Sequence, residues 1–354
     1  MSERQPLDSR STWGDLTVAL AAEGYIDAAG IERVGAALSE RTEEAPAPWY
    51  VVALVSASAW IASLLILFFL IAVDWVDEGP EFLVAGLVLM AVAVLLGHVG
   101  RPMFLQQLGV ALGLAGQACA AVGVYQIWEN PEWTWASLAG VAALLFFIHP
   151  SPIHRLLSVL VAVFGLAALI AASEQHALLH VLVLGMALGA VYLWEHESPL
   201  AARGVARLAQ PLALGLTLGL PALLFVAQIE PIYTVQRIWV SSAGLAIGLL
   251  YVVRRVAPRP ALGFAVLFAF FAFDHPGLIA SLLLTMLAYG RGKRALAAFL
   301  LAAFVAQVGY IVYEIDMNLL DRSLLLMGSG LVLLAMRGVL RLYRAPETDE
   351  EATP

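Results

Sequence analysis

Charge and cysteine are what this chain of 354 residues has least of. Asp, Glu, Lys and Arg together make 13% of it, and Cys119 is its one cysteine. A single thiol excludes an intrachain disulfide and any zinc site built from several thiolates. Lysine is nearly absent: Lys293 stands against eighteen arginines. With abundant alanine, that bias suggests a bacterium with a GC-rich genome. The common catalytic signatures are missing as well. There is no His-Glu-x-x-His, no Gly-x-Ser-x-Gly, no Walker loop and no Cys-x-x-Cys. Gly290-Arg-Gly-Lys293 lacks the following Ser or Thr and sits in a basic loop, so it does not read as a phosphate cradle. The arginines are too dispersed for a nucleic-acid patch. Neither a cofactor nor a nucleic-acid partner is expected, and the balance is against an enzyme.

What the chain has in excess is grease. Hydrophobic residues make 61% of it, against about 45–50% in a soluble domain. Residues 1–48 are polar and acidic, with no cleavable signal. In them Thr12 caps a first short helix that Gly24 ends, and Asp27 caps a second with Ile31, Val34 and Leu38 at helical spacing. This helical leader reads either as a docking module or as a polar segment lying on the inner face of the membrane. Twelve apolar runs follow, over 49–73, 82–97, 103–127, 133–148, 156–172, 177–194, 211–228, 238–253, 261–273, 276–289, 295–313 and 323–336. A perpendicular span needs about 20 residues, so the shorter runs must borrow from their loops. The two flanking His275 are the shortest, and a re-entrant pair there would give ten spans with the termini still on one side. The expected architecture is all-α: a leader over 1–48, a polytopic transmembrane helical bundle over 49–343 and a disordered tail over 344–354.

Orientation follows from the loops. Of nineteen basic residues, seventeen fall in the leader or on one side of the alternating connections; Arg237 and Arg322 lie on the other. The basic side is cytoplasmic by the positive-inside rule. Both termini are then inside, and the bacterial inner membrane is the expected location. The opposite loops collect Asp74, Asp77, Glu78, Glu129, Glu174, Asp274, Glu314 and Asp316.

As drawn, no span contains Asp, Glu, Lys or Arg. Proton relays and many ion-coupled carriers keep carboxylates at mid-membrane, where a charge is costly. Two glutamines, Gln117 and Gln307, lie near span centres and read as intramembrane polar contacts, either to a substrate or between helices. Four pairs of glycines four apart (Gly109 with Gly113, Gly185 with Gly189, Gly215 with Gly219, Gly244 with Gly248) read as close helix packing. On the outer face a candidate polar cluster comprises His176, His180, Asp274, His275, Tyr310, Tyr313, Glu314, Asp316 and Arg322. Carboxylate with imidazole would suit zinc or manganese. The plainer reading is a solvated loop surface that enforces topology. Arg322, on the acidic side, needs an acid partner or an interfacial position.

Several short stretches are shared with a known family. They are His275-Pro-Gly277, Gly290-Arg-Gly292, Tyr310 to Tyr313 with Asp316, Leu319-Leu320 before Ser323-Leu-Leu-Leu326, and Trp49-Tyr50 with Trp60-Ile-Ala-Ser63. With the short helical leader, they resemble the bacterial family catalogued as domain of unknown function 4401. Lys293 and Arg322 depart from that pattern, where Asn and Lys would be expected. The resemblance implies a bacterial inner-membrane protein and carries over no activity or catalytic residues. Three functions are then open. The first is a non-enzymatic membrane component working in the lipid bilayer with a membrane or cytoplasmic protein partner. The second is a secondary transporter of a small solute. The third is an outer-face metal sensor or membrane enzyme.

Overall fold

In hydrocarbon a backbone has no water to bond, so an apolar run must satisfy its own N–H and C=O groups, and the helix does this within one segment. The computed structural model of the protein describes residues 48–99, 102–229 and 239–314, with single positions at 27, 29, 30, 32, 320, 323, 327, 334 and 338. Every regular element among them is a helix: α1 (Trp49–Ala72), α2 (Gly79–Val99), α3 (Met103–Trp128), α4 (Pro131–Ile148), α5 (Pro152–Ala172), α6 (Ala177–Glu195), the short α7 (Glu197–Ala202), α8 (Ala206–Ile229), α9 (Trp239–Val256), α10 (Arg259–Phe271), α11 (Pro276–Gly290) and α12 (Arg294–Glu314). Nine are long and apolar enough to cross a membrane; α10 and α11 are apolar but shorter. Eleven of the twelve expected spans thus appear as helices. The twelfth, most of the leader and the tail lie outside the described residues. Of the leader, Asp27 is seen in its expected capping role, its Oδ1 accepting from Gly30 N–H at 2.7 Å.

Six of these helices, α2, α4, α5, α8, α10 and α12, begin earlier than their apolar runs do. Asn130 caps α4 by accepting from the N–H groups of Glu132 and Trp133 at 2.7 and 3.3 Å, with Pro131 behind it. Ser151 does the same for α5 ahead of Pro152, accepting from His154 N–H at 3.5 Å. Proline at the first helical position lacks only an N–H that would be orphaned anyway. α8 likewise starts at Ala206, so Pro211 and Pro221 both fall inside it. The charge-free description therefore needs correcting. Glu132, Arg155, Arg207, Arg254, Arg255, Arg259 and Arg294 all lie in helices, each within the first or last turn. There a long side chain reaches water while its backbone is helical.

Two cores result. The larger joins α5, α6, α8, α9, α11 and α12 through Val163, Met186, Leu220, Leu249, Leu283 and Leu300. The smaller lies along α2 and α3, where the contact is between backbones. Gly79, Gly86 and Ala93 face Gly109, Gly116 and Gly123, each set repeating every seventh residue. A methyl on Gly86 would lie 2.6 Å from the Ala120 nitrogen and 2.7 Å from the Gly116 carbonyl oxygen. Small residues at heptad spacing give two helices a continuous close seam at a left-handed crossing. The glycine pairs expected to pack do so unevenly. Gly215, Gly219, Gly244 and Gly248 meet side chains of neighbouring helices, whereas a methyl on Gly185 would meet nothing within 4 Å. α1 stands apart in another way: of its 24 residues only Ala59 and Ser63 are buried.

Candidate functional site

The connection between α4 and α5, His149-Pro-Ser-Pro-Ile-His154, folds inward. Both histidines are fully buried, and their rings stack with centroids 4.0 Å apart and planes 14° from parallel. Gly97 on α2 makes room for Pro150 and His149, and Gly113 on α3 for His154, whose Nε2 points at the glycine. His149 Nδ1 accepts from Ser151 N–H at 3.2 Å, which places its proton on Nε2. His154 Nδ1 pairs with Ser158 Oγ at 3.1 Å. The Nε2 atoms of both rings are buried, and neither makes a hydrogen bond of good geometry, although the Ala93 carbonyl lies near the His149 ring. Beside them Arg155 donates through Nη1 to the Arg207 carbonyl at 3.1 Å, tying α5 to α8. One turn along α3 from Gly113 comes Gln117, 2% exposed, with neither amide atom partnered.

The chemistry of this pair is narrow. Ring lone pairs lie in the ring plane, so two stacked rings send theirs into parallel planes and cannot converge on one metal ion. The pair can hold a proton, but two imidazolium ions at this separation in a dry site repel strongly. His149 lies outside the spanning helices. Burial pushes it down from 6.5 to about 4, and the neighbouring His98 and Arg155 add to this while the Ala93 carbonyl opposes it. At neutral pH that imidazole is uncharged.

The second glutamine is engaged. Gln307 Nε2 donates to the Pro221 carbonyl and to Ser281 Oγ, each at 3.2 Å, joining α12 to α8 and α11. Its Oε1 faces Gly277 and has no partner. Of the two readings of this residue, the geometry has the contact between helices.

The expected outer-face residues are scattered over several partners. His180, buried one turn into α6, bonds Ser241 Oγ on α9 through Nδ1 at 2.7 Å. His176 precedes α6, half-buried, with no hydrogen bond to its Nδ1. Asp274 is exposed and His275 half-buried in the turn before α11. The Tyr310 ring meets Phe225 edge-on at 5.5 Å, and Tyr313 is exposed. The Glu314 side chain, Asp316 and Arg322 lie outside the described residues. Among the described residues no three of His, Cys, Asp and Glu gather as a metal ion would require.

The histidine pair was missed because the apolar run starts at Leu156, which leaves His149 and His154 in what looks like a loop. A signal was present: Ser151 followed by Pro152 is a cap with proline at the first helical position. It starts the helix at Pro152 and places His154 in its first turn.

A protein family described as Domain of unknown function (DUF4401) matches the chain over residues 48–343. No curated protein and no solved structure matches it.

Proposed function

Since the chain belongs to the family catalogued as domain of unknown function 4401, we propose that it is a non-enzymatic multi-pass component of the bacterial inner membrane. Both termini lie in the cytoplasm, and it works with partner proteins. The observation that carries this reading is the placement of charge. Asp, Glu, Lys and Arg occur in the described helices only in end turns, and the connections alternate in sign. Those after α1, α3, α5 and α10 are acidic; at the opposite helix ends stand Arg155 in the first turn of α5, Arg203 after α7, Arg255 in the last turn of α9 and Arg291 after α11. Two serines do hydrogen-bond an imidazole, Ser241 with His180 and Ser158 with His154, and both pairs are buried inside the bundle. His180, Ser241, Gln307, Ser281, Trp194 and Thr217 bond one another across helices, as structural side chains in a bundle do.

The test has two arms. Reporter fusions after Gly204 and Gly292 should report cytoplasm, and a fusion after Glu174 should report the far side. The opposite pattern would overturn the orientation. Removing residues 1–48 should leave the bundle in the membrane and abolish recovery of cross-linked partner proteins. Undiminished recovery would refute the leader as the docking segment.

A further inference from the structure

At the basic end of the bundle the last turns of α9 and α11 and the start of α12 enclose a recess of about 480 Å³. Arg255 and Val256 line it from α9, Tyr289 and Gly290 from α11, and Gly292 and Arg294 from the turn between α11 and α12. No carboxylate lines it. Two acids stand near it, each already paired with a base. Glu197 Oε1 holds Lys293 Nζ at 2.7 Å, and Lys293 also lies over the Trp194 ring at 4.7 Å. Glu195 takes Arg255 Nη1 at 3.0 Å through one oxygen and the Tyr251 hydroxyl at 3.0 Å through the other. The Arg255 guanidinium also lies over the Tyr251 ring at 4.4 Å, and its other N–H groups make no hydrogen bond among the described residues; Arg294 is exposed with no ion pair among them. The ends of α9 and α11 and the starts of α10 and α12, with the turn before α12, carry six cations, Arg254, Arg255, Arg259, Arg291, Lys293 and Arg294, of which Arg255 and Arg294 line the recess. Gly292, at a φ of 70°, turns the chain without a side chain that would fill the opening.

We propose that this recess binds a phosphate group, presented either by an anionic phospholipid or by a soluble phosphate ester. Two guanidinium groups facing one opening match the oxygens of a phosphate, to which arginine donates in paired, charge-assisted hydrogen bonds. The depth suits a headgroup. Tyr192, Tyr251 and Tyr289 are each exposed near the same ends of α6, α9 and α11, as interfacial aromatics are, and basic pockets between helices at that level take anionic headgroups. The turn Gly290-Arg-Gly-Lys293 is still no Walker loop. The signal comes from the recess it borders, and that is visible only in three dimensions.

The experiment uses the full chain in an uncharged detergent and reads its thermal unfolding midpoint. Phosphatidylglycerol should raise the midpoint and phosphatidylcholine should not. Arg294→Gln should require about tenfold more phosphatidylglycerol for the same rise, the loss expected for one charge-assisted contact. Arg255→Gln should behave likewise. Arg203→Gln, a basic-end change away from the recess, should respond as the natural chain does. Inorganic phosphate that protects at millimolar level and displaces the lipid effect assigns the site to a soluble ester; phosphate without effect assigns it to lipid. Equal responses from the natural chain, Arg294→Gln and Arg255→Gln would overturn the proposal, as would an equal loss in Arg203→Gln. Purified protein answers this whichever side the fusions report, so the two readings fail separately.

Discussion

Gln307 ties α12 to two neighbouring helices through a single amide nitrogen. Replacing it with leucine deletes both bonds and leaves the Pro221 carbonyl and Ser281 to find others. Gln307→Leu should destabilise the bundle by roughly 0.6–2 kcal/mol, read as a lower unfolding midpoint in detergent. Gln117 looks the same in sequence and sits just as deep, but neither of its amide atoms has a partner. An apolar replacement removes a desolvated amide and costs no bond, so Gln117→Leu should leave the midpoint unchanged or raise it. A fall as large as that of Gln307→Leu would mean that Gln117 does have a partner. His149 makes a third residue-level case. It is neutral when buried, with a folded value of about 4 against 6.5 in the unfolded chain. Above pH 6.5 neither state is charged and this group adds no pH dependence. As pH falls from 6.5 toward 4, the unfolded chain takes up a proton that the folded one refuses, so stability drops across that window. His149→Asn should flatten the fall of the midpoint between pH 7 and pH 5; an unaltered slope would show that His149 is not its source.

Among the elements, the α2–α3 seam is the most demanding fit. A side chain on Gly86 meets backbone atoms of Ala120 and Gly116, which cannot rotate away as a side chain would. Gly86→Val should force the helices apart at a cost of about 1–3 kcal/mol. Gly185→Val, with open space around it, should cost far less. Unfolding midpoints of the two variants side by side check the contrast. The sequence draws attention to glycines four apart, and the seam instead repeats at seven, through Gly79 and Gly86 and through Gly109, Gly116 and Gly123. Helix ends were hard to place for a related reason. Hydropathy stops a span at its first charge, Glu132 for α4 and Arg155 for α5, while capping by Asn130 and Ser151 carries the helix beyond it.

For the molecule as a whole, helix type and the places of eleven helices were legible because lipid imposes one rule on every span: enough apolar length and no charge in the middle. Loop sign was legible for the same reason. Contact between segments was not. Nothing in a linear pattern places Gln307 against Pro221, or Arg255 beside Arg294, since each pairing depends on how helices far apart in the chain pack. The interior of the bundle is also shared unevenly. α3 has protein on most sides, with eleven buried residues, while α1 has two. Selection on the first is for shape and on the second for solubility in hydrocarbon. Outside Trp49-Tyr50, Ala59 and Trp60-Ile-Ala-Ser63, related chains should therefore drift freely along 49–72, trading one aliphatic or aromatic residue for another, while the small residues of 109–124 stay nearly fixed.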